Sequence, residues 1–290
     1  MTVRIGSLWD STQQVLAGRA GMLAPFAAIG FVLPSVMQLL LLPGTTQTPG
    51  AAMGIVAIVV MLVSIGLSLW GQMAIMALAT HPATTQGAAA HAAMARLPAT
   101  LGIVAIMVLV AAAVMVVPVV VLGMSGYDFE AAMAAAGNPA RMPAVPAGAA
   151  LFVLAYMLVT GVVAIWLGMR LIPVYAVVLN ERRGLGAFRR SIALTRRMTW
   201  RLLGVTLLFG IVLTVATLAA QGVTGIAFRL ILGAERIAWA QGIAALAGSI
   251  VTAGFMTLAY VFVARLYVAT ADRAASPPAM AVMEDGAPSL

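Results

Sequence analysis

Apolar and polar positions fall into blocks along this chain. Solid apolar runs alternate with short polar stretches, and the runs reach the roughly 18–20 residues that a helix needs to cross the hydrocarbon core of a bilayer. Six such spans are read, at 22–42, 51–79, 101–122, 149–179, 202–221 and 242–264. Pro25 and Pro34 predict kinks in the first. The second is long enough to tilt. In the fourth, Arg170 and Pro173 predict that the membrane part ends near Arg170 and that 171–179 continues along the interface. Polar turns at 43–50 and 123–148 separate spans, and 222–241 is a mixed connector.

Before the odd-numbered spans the pattern changes to helical stripes. Ile5, Leu8, Trp9, Thr12, Val15 and Leu16 recur at helical spacing. Residues 84–97 read as an Ala-rich helix capped by Thr84 or Thr85. Leu185, Phe188, Ile192 and Thr195 share one helical face. The fold class is therefore all-α: a polytopic membrane protein of about six transmembrane helices, with amphipathic interfacial helices before spans 1, 3 and 5. Residues 1–21 form an N-terminal amphipathic cytoplasmic segment, 22–273 the membrane domain, and 274–290 an Ala/Pro-rich tail read as disordered. The three units of surface helix plus hairpin form a weak internal repeat, with the Leu-Gly pairs of 95–104 and 197–206 in register.

Composition agrees with the pattern. Only 8% of residues are charged and mean hydropathy is +1.08, against about 25% charged in soluble domains. There is no cysteine, so disulfides, thiolate metal sites and a cysteine nucleophile are excluded. All 16 basic residues are arginine. With abundant Ala, Gly and Met, that points to a GC-rich bacterial genome. The start of the chain lacks the apolar stretch of a cleavable signal peptide.

Charge adds the orientation. With six spans, arginines 4, 19, 96, 170, 182, 183, 189, 190, 196, 197, 201, 265 and 273 share one side, and 141, 229 and 236 the other. The positive-inside rule then places both termini in the cytoplasm. The net charge of +8 sits beside spans, which makes it a topology signal and not a nucleic-acid footprint.

The densest charge lies at 180–201. Arg182, Arg183, Arg189, Arg190, Arg196, Arg197 and Arg201 stand there with one acid, Glu181. On one uninterrupted helix Arg189, Arg190, Arg196 and Arg197 would share a face. Such a face anchors and orients the protein, and it offers anionic headgroups or an acidic envelope protein a docking surface worth about 1 kcal/mol per arginine. Arg170 and Arg265 follow apolar runs and read as snorkelling side chains or as further anion-binding arginines.

Other candidate chemistry is sparse. His81 and His91 lack metal-ligand spacing. Asp128 and Glu130 read as solvated loop acids, and GLG at 184–186 lacks the rest of a phosphate fingerprint. The spans hold almost no acids; Gln38, Gln72, Thr160 and Thr252 are explained by interhelical hydrogen bonds. No catalytic residue, metal ligand or cofactor is expected, and the chain is read as not an enzyme. Two small-residue ladders, Ala244–Gly248–Thr252 and Ala245–Ser249–Ala253–Thr257, predict close helix packing within the subunit or in a homo-oligomer.

Arg170, Pro173, Glu181, Gly184, Ala187, Arg190, Ser191, Leu194, Thr195, Trp200 and Arg201 carry a resemblance. The stretch 171–204 resembles the membrane domain found with bacterial glycerophosphoryl diester phosphodiesterases and the related YciC-type inner-membrane proteins. The six-span plan is similar across most of the chain. The resemblance implies a multi-pass membrane domain without catalytic activity, since the hydrolase of the fusions is a separate soluble domain. The leading functional reading is a non-catalytic inner-membrane protein that meets anionic lipid or an envelope partner through its basic cytoplasmic helix. A transporter or exporter of a lipidic or amphipathic substrate is the alternative, and a membrane-embedded enzyme the second.

Overall fold

A computed structural model describes residues 5–41, 51–135, 138, 141–182, 184–196, 198–233 and 236–275. Among these the regular structure is all helix, with no strand. Six helical stretches are long and apolar enough to cross a membrane: Ile5–Leu41, Met53–Thr80, Gln86–Met124, Ala147–Glu181, Thr199–Leu232 and Ile237–Asp272. This is an all-α, multi-pass membrane protein. The turn at 43–50 and residues 276–290 of the tail lie outside the described residues.

The first stretch is α1 (Ile5–Ala27), a π-helical turn (Ala28–Val32) and α2 (Leu33–Leu41). Then come α3 (Ala51–Thr80), α4 (Gln86–Met124), α5 (Phe129–Ala134) and α6 (Ala147–Leu171). After Pro173 follow α7 (Val174–Glu181), α8 (Gly186–Thr195), α9 (Thr199–Leu232) and α10 (Ile237–Ala275). The break between α6 and α7 falls where Arg170 and Pro173 predicted it.

The surface helices before spans 1 and 3 are continuous with those spans. Nothing between 5–20 and Met22, or between 86–97 and Leu101, forces the chain out of helix; Pro25 and Pro98 are accommodated inside. At about 1.5 Å per residue, the 39 residues of α4 reach about 58 Å. A hydrocarbon core of about 30 Å cannot contain them, so part of α4 projects beyond it. Only α8 stands as a separate helix before its span.

Each of three prolines strips the carbonyl four residues back of its helical N–H donor. In each case a side chain from another helix supplies a replacement. Pro25 frees Gly21, whose carbonyl accepts from Gln86 Nε2 at 3.4 Å. Pro34 frees Gly30, which accepts from the Ser68 hydroxyl at 3.0 Å. Pro118 frees Val114, which accepts from the Tyr156 hydroxyl at 2.9 Å. An unpaired carbonyl in hydrocarbon has no water to turn to, and this re-pairing is what lets prolines stand inside spans.

Met1–Thr100 with Leu171–Leu290 form one compact unit and Leu101–Arg170 another. The core of the first is the last third of α3, where Gly71 to Thr80 are all buried. A helix end that is apolar on every side must be surrounded. Leu23 and Phe26 of α1, Ala89 and Ala93 of α4, Val174, Val177 and Val178 of α7, and Val261, Ala264 and Leu266 of α10 are buried with it. Gly30 and Gly71 let α3 cross the π-helical turn with backbones in contact: a Cβ on Gly71 would lie 2.8 Å from Gly30 Cα. Arg19 Nη1 donates to the Leu78 carbonyl at 2.8 Å and to that of His81 at 3.2 Å, satisfying the negative C-terminal end of α3.

α9 and α10 pack along the first predicted ladder. Thr217 meets Thr252 at 3.4 Å, Gln221 lies over Gly248, and Gly225 faces Ala244. Residues 217, 221 and 225 run antiparallel to 252, 248 and 244, so one small-residue stripe serves contact within the subunit.

In the second unit the Tyr156 hydroxyl ties α6 to the latter part of α4, and Asp128 caps α5 by accepting from Ala131 N at 2.8 Å. Its outer faces are apolar and open, with Leu109 68% and Leu151 69% exposed. In a chain with these spans, lipid covers such faces.

Candidate functional site

The basic stretch is three helices. Asn180 and Glu181 end α7; Arg182 takes the left-handed conformation, φ 53°, that closes a helix. Gly184 and Leu185 turn the chain into α8, which ends at Thr195. Arg201 already belongs to the first turns of α9. The face expected to carry Arg189, Arg190, Arg196 and Arg197 falls on α8 and the residues that follow it. Arg189 and Arg190 sit on α8, and Arg196 follows its last residue. Arg183 and Arg197 lie outside the described residues.

The apolar face is also placed differently. The buried residues of α8 are Ala187, Ser191 and Thr195, spaced i, i+4, i+8. Leu185 is exposed, and Phe188 and Ile192 are half-buried. α8 is wedged against α7 and α10 through its small side chains, because only small groups fit where helix backbones approach closely. Large apolar residues flank that line.

One carboxylate organises the layer. Arg190 Nε donates to Glu181 Oε1 at 3.0 Å, and the Tyr267 hydroxyl of α10 donates to the same oxygen at 3.3 Å. Glu181 thus joins α7, α8 and α10. The pair is partly shielded, with side chains 29% and 16% exposed for Arg190 and Glu181. A charge-assisted bond there holds more firmly than a fully solvated one. Arg190, expected among the ligand-facing arginines, ties α8 to α7 through this bond.

Arg182, Arg189, Arg196 and Arg201 are exposed. Trp200 beside them is 80% exposed, as an aromatic at a membrane–water boundary would be. Arg170 lies with its guanidinium carbon 4.1 Å from the centroid of Trp166, one helical turn back, in a cation–π contact. Arg265 of α10 is half-buried, and its Nε is buried with no hydrogen-bond partner among the described residues.

His81 and His91 are both exposed; the His81 carbonyl, not its ring, is engaged. Asp128 caps α5, and Glu130 lies in the first turn of α5. The sequence reading did not single out Tyr267, Arg19, Gln86 or Ser68. For the last two a usable signal existed: a proline inside a helix marks the carbonyl four residues back as needing a donor.

No protein-family model, no curated protein and no solved structure matches this chain.

Proposed function

We propose that this multi-pass protein is non-catalytic and binds acidic phospholipid at the α7–α8 layer. The observation that carries the reading is the division among the arginines. Glu181 holds Arg190 inward, while Arg182, Arg189, Arg196 and Arg201 remain exposed around one helical hairpin beside Trp200. A hairpin fixed to α3 and α10 presents its charges at a set position, so a bound headgroup meets a preorganised surface. At about 1 kcal/mol each, four such charges hold anionic lipid strongly. We place the layer on the cytoplasmic side of a bacterial inner membrane, from the bias of the arginines. The resemblance to the phosphodiesterase-associated membrane domains and YciC-type proteins implies a membrane domain without catalytic activity, which agrees with the non-catalytic part of this reading.

Native mass spectrometry of protein released from its own membranes tests this. Acidic lipid retained by the wild type should be lost from the Arg182/Arg189/Arg196/Arg201→Gln variant. Equal retention by both overturns the proposal.

A transporter for an amphipathic substrate is the second reading. It is favoured by the π-helical turn and Pro34, which interrupt the first span beside a groove of about 410 Å³ containing Ser35, Gln38, Ser64 and Ser68. The Ser64 hydroxyl is buried without a partner among the described residues. Substrate-dependent flux in proteoliposomes would support that reading and its absence would remove it.

A further inference from the structure

A second groove, of about 390 Å³, opens between the end of α9 and the start of α10. Its volume lies in the range of about 300–1,000 Å³ typical of ligand pockets. Its lining is mostly apolar, from Ile226, Ile237, Ala240 and Ala244, with three polar side chains: Gln221, Arg229 and Gln241.

The helix itself measures the groove's distance from the basic layer. From Arg201 to Arg229 along α9 is about 42 Å at 1.5 Å per residue. A hydrocarbon core of about 30 Å fits between them. The groove therefore sits at the membrane face opposite the α7–α8 layer. Trp239, 68% exposed, stands beside it where interfacial aromatics concentrate.

The side chains of Arg229, Gln221 and Gln241 make no hydrogen bond or ion pair among the described residues. The Gln221 amide is held at the groove by the packing ladder, because it occupies the space that Gly248 leaves; a Cβ at 248 would collide with it. Gly225 and Ala244 keep the helices close just beyond. The result is an amide fixed in an apolar cleft, a second amide at the rim and a guanidinium at the mouth.

We infer that this groove binds the phosphate and upper acyl region of one acidic phospholipid from the leaflet at that face. Arg229 supplies a bidentate, charge-assisted contact to phosphate. Gln221 and Gln241 donate N–H groups to ester or glycerol oxygens. The isoleucine and alanine walls receive the first methylenes. A free phosphate would leave those walls wet, so the occupant is lipid. The site is independent of the α7–α8 layer and survives if that layer proves to be an anchor alone.

The experiment titrates dioleoyl phosphatidylglycerol into the full chain in neutral detergent and counts bound lipid by native mass spectrometry. The background is the Arg182/Arg189/Arg196/Arg201→Gln variant, which removes the other basic face. Arg229→Gln should weaken the remaining site about tenfold, as loss of a charged hydrogen bond does, and Gln241→Leu by a smaller factor. Both side chains are exposed, so neither change threatens the fold. Arg236→Gln, the same charge loss at an exposed residue outside the groove, should change binding less than twofold. Glycerol phosphate at equal concentration should not bind. Equal weakening by Arg229→Gln and Arg236→Gln, no weakening by either, or glycerol phosphate binding as tightly as lipid would each overturn the proposal.

Discussion

Replacing Gly71 by alanine tests how tightly the core around α3 is set. The new Cβ would fall 2.8 Å from Gly30 Cα and 2.9 Å from the Phe26 carbonyl oxygen. Both are backbone atoms of the facing helix and cannot rotate away. Reaching an ordinary contact of 3.4 Å requires the helices to separate by about 0.6 Å, which forfeits a quarter or more of the dispersion energy along the crossing. The Ser68 bond to Gly30, 3.0 Å long, would stretch past useful length. Overpacking of this kind costs about 1–3 kcal/mol, and alanine regains about 1 kcal/mol of helix propensity. With the lost Ser68 bond adding about 1 kcal/mol, the net expectation is a loss of about 1–3 kcal/mol. Gly66→Ala on the same helix is the control: nothing lies within 4 Å of its Cβ, so stability should hold or rise by up to about 1 kcal/mol. Equilibrium unfolding in mixed micelles, followed by tryptophan fluorescence, compares the two; Trp70, ring-packed on Phe26 at 5.3 Å, reports on the crossing. A Gly71→Ala protein as stable as wild type would refute the close-crossing argument.

Two further outcomes follow from the same geometry. Tyr156→Phe leaves the Val114 carbonyl without a donor and should cost about 0.6–1.7 kcal/mol in the same unfolding assay; Pro118→Ala should remove most of that penalty by restoring the backbone N–H, and a double mutant no better than Tyr156→Phe would sink the proline argument. Glu181→Gln weakens the joint between α7, α8 and α10 by about 1 kcal/mol, and limited trypsin digestion at Arg189 and Arg190 should quicken several-fold; an unchanged cleavage rate would show that small-residue packing alone holds α8.

The sequence by itself determined the number and positions of the spans, the helical class and the break after Arg170. Those follow from local quantities: the length of an apolar run, the chemistry of proline and the cost of charge in hydrocarbon. The ladder Ala244–Gly248–Thr252 was legible for the same reason, since small residues at helical spacing have few uses other than close packing. Tertiary structure decided the partners. Whether Arg190 faces solvent or a carboxylate depends on how α8 folds back on α7 and brings Glu181 within 3.0 Å; helical spacing within α8 does not show that partner. Which face of α8 is buried depended on the helices waiting for it, and they select Ala187, Ser191 and Thr195 by size, over the larger apolar residues that periodicity favoured. The donors for Gly21, Gly30 and Val114 come from residues 38 to 65 positions away, a distance at which a sequence shows that a donor is required and only the fold shows which side chain provides it.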